Sequence, residues 1–278
     1  MRTLYVSDLD GTLLRSDERT SDYTNQTINR LVEKGMLFSY ATARSYQTSH
    51  KVTKGLNARI PLITYNGAMI VDNVDGTFLA KNFFHDNAAD LITDLLDHRV
   101  FPIVYSMQDN AEKYSYFSPL SKVGSLVVEI HPGMNFFLKS RSGDKRECPV
   151  DNTVDLMKGE VFYITCIDEK SKLEGLYEKY KDIYHCVFQV EIYTQEYWLE
   201  IMPRNASKSN AISQLKRYLM CDRLVVFGDG KNDIDMFRIA DEAYAVDNAV
   251  LELKEIATGI IGSNDADGVA EWLNRNVL

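Results

Sequence analysis

"LYVSDLDGTLL", residues 4–14, sets two aspartates one residue apart at the end of a short apolar run. A run of that length, bounded by a turn residue, reads as a buried strand. Unpaired buried carboxylates are expensive, so Asp8 and Asp10 are hard to explain as packing. If the backbone stays extended through Leu9, both side chains point to one face. Gly11 then allows a tight departure, and the Thr12 hydroxyl can satisfy loop amides. Two adjacent carboxylates divide into an ionised member and one more readily protonated. The first can attack as a nucleophile and the second can supply a proton to a leaving group. The same residues also suit a capped, solvated turn, and this stretch alone does not decide between the two.

Working outward, "TLYVS" is followed by "NQTINRLVEKG", where Ile28, Leu31 and Val32 share one helical face and Gly35 ends the helix. "MLFSYA", a polar helix-like stretch from Arg44 to Leu56, and "IPLITY" complete a β-α-β-α-β order, the signature of a parallel sheet with crossover helices. Two strand-like arms then flank Asp75-Gly76, a hairpin signal. The rhythm returns late in the chain. Lys208 to Leu219 carries Ala211, Ile212, Leu215, Tyr218 and Leu219 at helical spacing, and "RLVVFGD", "NDIDMFRIA", "AYAV", "AVLELKEIA", "GIIGS" and "DGVAEWLNRNV" continue the alternation. The middle is strand-rich with interspersed helices, including "SLVVEI" and "EVFYITCID". The expected architecture is α/β: a doubly wound, Rossmann-like parallel-sheet domain from residues 1–83 and 191–278, with an α+β domain inserted at 84–190.

The 278 residues carry a net charge of −9, which argues against a general nucleic-acid or anionic-membrane binder. A small anionic substrate is still compatible, because a local cluster of cations or a metal inverts the field at a site. An aspartate arrives before any signal-peptide core can form, and no apolar run reaches the length of a membrane span. Cys148, Cys166, Cys186 and Cys221 form no CxxC pair and read as reduced thiols of a cytoplasmic protein. The five histidines make no HxH or HxxxH pair, which argues against a histidine-based zinc site.

In open parallel sheets, ligands bind beyond the carboxyl ends of the strands. Asp8 and Asp10 follow the first predicted strand, Thr42 and Arg44 the second, Asn66-Gly67 the third, and Asp229, Asn232 and Asp233 follow "LVVFG". Asp229 ends its strand as Asp8 does, so the two can face each other across neighbouring strand tips. Carboxylate oxygens with room for water are what magnesium prefers. Asp233, four residues on, suits holding a coordinated water or orienting Lys231 and Asn232. A helix cap would account for one of these residues and leave the others unexplained.

These residues in this order resemble the haloacid dehalogenase superfamily, and within it the Cof-like type-IIB phosphatases. The first motif is Asp8-Leu9-Asp10-Gly11-Thr12, the second Thr42 in "FSYATARS", the third Lys208 in "IMPRNASKSNAI", and the fourth Gly228-Asp229-Gly230-Lys231-Asn232-Asp233. Asn66-Gly67-Ala68 and the late Asp267-Gly268-Val269-Ala270 match as well, and the insert falls where that family keeps its cap. Ala43 stands where the family usually has glycine, Asn205 where a glycine is common before the lysine, and Ser209 where one often follows it.

The resemblance implies a magnesium-dependent phosphatase acting on small phosphate monoesters through an aspartyl-phosphate. Asp8 would be the nucleophile and Asp10 the proton shuttle. Asp8, the Asp10 carbonyl and Asp229 would hold the metal, with Asp233 behind them. Lys208 and Thr42 would bind the phosphoryl oxygens, and Arg44, Asn66, Gly67 and Asn232 would line the substrate site. The cap would close over the site and select among sugar phosphates, nucleotides and flavin mononucleotide. No nucleic-acid, membrane or protein partner is implied. A phosphomutase, a receiver-type protein that stores the phosphoryl group, and a degenerate binding protein are the competing readings. In the insert, the basic run "KSRSGDKR" (139–146) reads as a solvated hairpin in preference to an anion contact. Tyr197 and Trp198 read as packing, and His131 takes no functional role.

Overall fold

The computed structural model describes residues 1–85, 88–119, 122–123, 126–191 and 194–277. The opening run forms β1 (Thr3–Ser7), with Leu4 and Val6 fully buried. After it come α1 (Asp22–Glu33), β2 (Leu37–Tyr40), α2 (Tyr46–Val52), β3 (Leu62–Thr64), β4 (Met69–Val71) and β5 (Phe78–Lys81). Ser21 starts α1 by accepting the Thr24 N–H at 2.9 Å, and Ile28, Leu31 and Val32 are its buried face. The second helix is shorter than the sequence pattern suggests. Ser45 is its N-cap, accepting the Thr48 N–H at 3.1 Å, so Arg44 stays outside and the helix closes at Val52. β3 touches β2 through one parallel bridge, Ala41–Ile63, then turns antiparallel to β4, which pairs with β5 around Asp75-Gly76.

The inserted segment contains α3 (Ala88–Asp97), β6 (Ile103–Gln108), β7 (Ala111–Phe117), β8 (Lys122–Val123), β9 (Leu126–Val127), α4 (Pro132–Ser140), β10 (Glu147–Val150), α5 (Thr153–Leu156), β11 (Glu160–Ile167), α6 (Lys170–Tyr180), β12 (His185–Val190) and β13 (Tyr197–Met202). Its main sheet has the order β10-β7-β6-β11-β13-β12, antiparallel except for the β10–β7 pair. Leu91, Ile92 and Leu95 of α3 and Leu173 and Leu176 of α6 share a buried core with Val104, Ile164, Leu199 and Ile201 of the sheet. Ser125, in the strand-like "SLVVEI", lies outside the described residues.

The chain then continues with α7 (Lys208–Tyr218), β14 (Arg223–Gly228), α8 (Ile234–Ile239), β15 (Glu242–Val246), α9 (Leu251–Lys254), β16 (Gly259–Ile261) and α10 (Gly268–Asn276). The five-stranded sheet has the order β16-β15-β14-β1-β2, with every pair parallel. The chain leaves β1 toward β2 on one side and later returns to its other side through β14. Strand order therefore reverses between β1 and β14, and that is where an open α/β sheet offers a crevice.

Two compact units result, Met1–Lys81 with Ala206–Leu278, and Asn82–Asn205. Their second division falls later than the expected 190/191, because Tyr197–Met202 pairs with β11 and β12 in the insert's own sheet. The basic run of the insert is also less solvated than expected. Arg146 is buried and donates to Glu112 Oε1 at 2.5 Å and to Asp144 Oδ2 at 2.6 Å. That contact holds the Asp144 carboxyl down at about 2. Arg141 lies over the Phe137 ring at 4.0 Å, which leaves Lys139 and Lys145 of this run exposed. Trp198 packs edge-on to Phe137 and Tyr197 stacks on Phe188, so this pair is packing. All four cysteines are free. Among the described residues, no helix is long and apolar enough to cross a membrane.

Candidate active site

Asp8 is the first residue beyond β1, held at the strand tip by its N–H, which donates to the Phe227 carbonyl at 2.9 Å. Its side chain is buried, 5% exposed. Lys208, the first residue of α7, is more deeply buried at 2%. The Lys208 Nζ donates to Asp8 Oδ1 at 2.5 Å and to Asp233 Oδ1 at 2.7 Å. A charge this deep survives only when paired. Burial works against the ammonium, but Asp233 and Asp8 more than offset it and hold its pKa above the ordinary lysine range.

Asp233 is fully buried. Its Oδ2 accepts the backbone N–H groups of Asp229 and Gly230, each at 3.0 Å, so it organises the turn after β14 as well as the lysine. The sequence suggested that it would hold a coordinated water or orient Lys231 and Asn232. Instead Lys231 is exposed and pairs with Glu252 at 2.8 Å. Asp229 accepts the Thr12 hydroxyl at 2.7 Å, so Thr12 serves a carboxylate rather than a loop amide. Burial, reinforced by Asp233, pushes the Asp229 carboxyl up to about 7 despite Thr12 and Lys208. Burial also raises Asp8 well above its ordinary range, against the pull of Lys208.

Gly11 explains the tight departure after Asp10. Its φ is +75°, and a Cβ there would sit 2.4 Å from Asp229 Oδ2. Asp10 itself is partly exposed, and its carboxylate is forked by Arg44, with Nε at 2.9 Å from Oδ2 and Nη2 at 2.6 Å from Oδ1. Nη2 also donates to Glu18 at 2.9 Å. Arg44, expected to meet a substrate, therefore commits these donors to Asp10 and Glu18. Nothing in the loop sequence marked Glu18 for this contact.

Thr42 is fully buried; its hydroxyl accepts the Arg44 N–H at 3.1 Å and its carbonyl accepts the Asn66 N–H at 2.8 Å. Asn66 adopts φ +50°, and its side-chain carbonyl accepts the Asn232 amide at 3.4 Å. Gly67 has φ +98°, and a Cβ there would lie 2.1 Å from the Ser207 carbonyl, immediately before Lys208. The strand-end residues singled out in the sequence are thus gathered by contact in one unit.

For the metal, the expectation named the carboxylates of Asp8 and Asp229 and the backbone carbonyl of Asp10. Carboxylate oxygens of Asp8, Asp229 and Asp233 lie within 4.8 Å of one another, whereas the Asp10 carboxylate is turned to Arg44. The cluster holds three carboxylates and one ammonium, which pairs with Asp8 and Asp233, and the surplus is the charge of one divalent cation. An all-oxygen donor set suits a hard cation, so the residues fit one. Both Asp233 oxygens already accept hydrogen bonds, which leaves Asp8 and Asp229 as its carboxylate ligands.

Comparison with known proteins agrees with this geometry. The model of the haloacid dehalogenase-like hydrolases matches residues 5–273. A protein of Buchnera aphidicola subsp. Baizongia pistaciae, which carries the name of a phosphatase without a substrate, is 31% identical over 99% of this chain and 98% of its own length. YwtE of Bacillus subtilis, a 5-amino-6-(5-phospho-D-ribitylamino)uracil phosphatase, is 26% identical over 96% of each chain. In fold, the chain is similar to TM0651 from Thermotoga maritima, with a TM-score of 0.76, 24% identity and coverage of 99% of this chain and 97% of the other. The strand order, the gathered strand-end residues and the match over nearly the whole chain lead to one statement: this protein belongs to the haloacid dehalogenase-like hydrolases.

Proposed function

We propose that the protein is a magnesium-dependent phosphatase that hydrolyses small phosphate monoesters through an aspartyl-phosphate on Asp8. The observation that carries this reading is the Asp8–Lys208 contact at 2.5 Å beside Asp229. A fixed ammonium and a second carboxylate beside Asp8 support its reading as a nucleophile working with a cation. An anion attacking a phosphate dianion needs such positive charge to be preorganised.

Asp8 attacks phosphorus, the bond to the leaving oxygen breaks, and Asp10 protonates that oxygen. Asp10 then takes a proton from water, the water oxygen attacks phosphorus, and cleavage of the acyl-phosphate bond restores Asp8 and releases phosphate. Lys208 holds Asp8 in place and offers charge to the phosphoryl oxygens. Thr42 and Asn232 contribute neutral hydrogen bonds. Arg44, with Glu18 behind it, sets the direction of the Asp10 carboxyl group. Asp233 fixes Lys208 and the Asp229 turn. A magnesium ion at Asp8, Asp229 and the Asp10 carbonyl would neutralise charge building on the phosphoryl group.

The substrate is a small molecule, with no nucleic-acid, membrane or protein partner called for; the net charge of −9 supports the first of these exclusions. The four free cysteines support a reducing, cytoplasmic setting. The phosphoribitylaminouracil named for YwtE leads the substrate panel, followed by sugar phosphates, nucleotides and flavin mononucleotide. Purified protein with magnesium is expected to hydrolyse an aryl phosphate, and Asp8→Asn is expected to abolish turnover with an unchanged unfolding transition. Full activity in that variant overturns the covalent mechanism. Transfer of phosphate to a second sugar hydroxyl, or a phosphoenzyme surviving for minutes, would identify a mutase or a storage protein instead.

A further inference from the structure

The turn from Leu9 to Leu13 carries Asp10 and Thr12, yet most of what fixes it comes from a distant part of the chain. Internally it is closed by the Leu14 N–H donating to the Leu9 carbonyl at 2.9 Å. Two further carbonyls, one in the turn and one just after it, are met from beyond β15. The Asn248 side-chain amide donates to the Gly11 carbonyl at 2.7 Å, and the Asn264 amide donates to the Leu14 carbonyl at 3.0 Å. The Asn264 backbone N–H donates to Asn248 Oδ1 at 3.0 Å, so the two asparagines act as one unit. Two residues past Asn248, the Val250 N–H donates to the Asp229 carbonyl at 2.9 Å. The segment 248–250 therefore bridges the turn after β1 and the turn after β14.

We propose that Asn248 is a positioning residue that sets the gap between the Asp8–Asp10 turn and Asp229, and so the fit of the divalent cation held there. The inference rests on the phosphatase reading above. Gly11, with φ +75°, is the residue of this turn whose torsions rotate most cheaply. Those torsions alone separate the pinned Gly11 carbonyl from the Asp10 carbonyl, the backbone oxygen that the proposed function assigns to the cation. Anchoring the first restricts the second, and Val250 refers both to Asp229. The late Asp267 extends the same clamp outward, accepting the Ser21 hydroxyl at 2.7 Å and the Thr24 hydroxyl at 3.1 Å as well as Arg15. This accounts for a motif that the chemistry alone left unused. Asn248 is exposed, so its replacement by alanine removes two hydrogen bonds without opening a core.

The test compares Asn248→Ala and the same-sized Asn248→Asp with the parent full-length protein. Asn248→Asp keeps the acceptor toward Asn264 and removes the donor toward Gly11. Calorimetric titration with manganese or magnesium is expected to show roughly 10-fold weaker cation binding by Asn248→Ala, the usual scale for residues that orient ligands from behind. Amide exchange of residues 9–14, measured without metal, is expected to rise in both variants while the β6–β11 strands of the insert are unchanged. For both variants kcat falls and KM for an aryl phosphate is held. Parental cation affinity in Asn248→Ala, or parental exchange at 9–14 in both variants, overturns the proposal, as does loss of stability alone. If the parent itself neither binds the cation nor turns over, the phosphatase reading fails instead.

Discussion

Lys208 links two parts of the site, because a fully desolvated ammonium must be answered by carboxylates on two different elements. Lys208→Met keeps the length and removes the charge. Asp8 and Asp233 are then left facing each other in a buried space, with an expected stability loss of roughly 3 kcal/mol at pH 8. Turnover is expected to fall roughly 100- to 1,000-fold, the scale for losing one preorganised charge or donor at a reacting group. Urea unfolding and steady-state kinetics read the two effects separately; near-parental kcat would remove Lys208 from the phosphoryl site. This lysine was singled out in the sequence through the resemblance, as the third motif at the start of a helix pattern. Its second partner was not, because Asp233 offered several neighbours at helical spacing and the fold selected Lys208 over Lys231.

At the scale of elements, the start of α7 and the turn after β3 form one joint. Ser207 caps α7 by accepting the Asn210 N–H at 3.2 Å, and its carbonyl lies against Gly67. Gly67→Ala adds a Cβ where only hydrogen fits and demands a left-handed backbone, a combination worth about 2–4 kcal/mol. Because Lys208 follows Ser207 directly, activity is expected to fall further than the unfolding free energy alone explains. A crystal structure of the variant showing Lys208 unmoved, with normal turnover, would refute that coupling. The hairpin signal at Asp75-Gly76 and the helix at Lys208 were readable from local chemistry. The true length of α2 was not, since a polar stretch without apolar periodicity does not mark its ends and only the Ser45 cap fixes the start.

Across the whole molecule, the surplus of buried acid makes stability depend on pH and is expected to tie folding to cation binding. Asp229 titrates near 7 in the folded protein against about 3.9 in an unfolded chain. The folded state thus binds more protons between those values, and the stability of the metal-free protein is lost as the pH rises from about 4 through about 7. Magnesium is expected to restore stability above pH 7 and to raise the unfolding temperature more at pH 8 than at pH 5. Calorimetry with magnesium or a chelator at both pH values tests this; equal shifts at the two would contradict it.

The sequence by itself determined the alternation of strands and helices, the insert, and the residue types at the strand ends, because periodicity, turn chemistry and motif spacing are local. Only the tertiary structure decided that Tyr197–Met202 joins the insert's sheet, that Arg146 pairs inside the insert, and that Arg44 turns to Asp10 and Glu18. Those outcomes depend on which strands become neighbours and which charges find partners out of water. Both are settled by contacts between residues far apart in the chain.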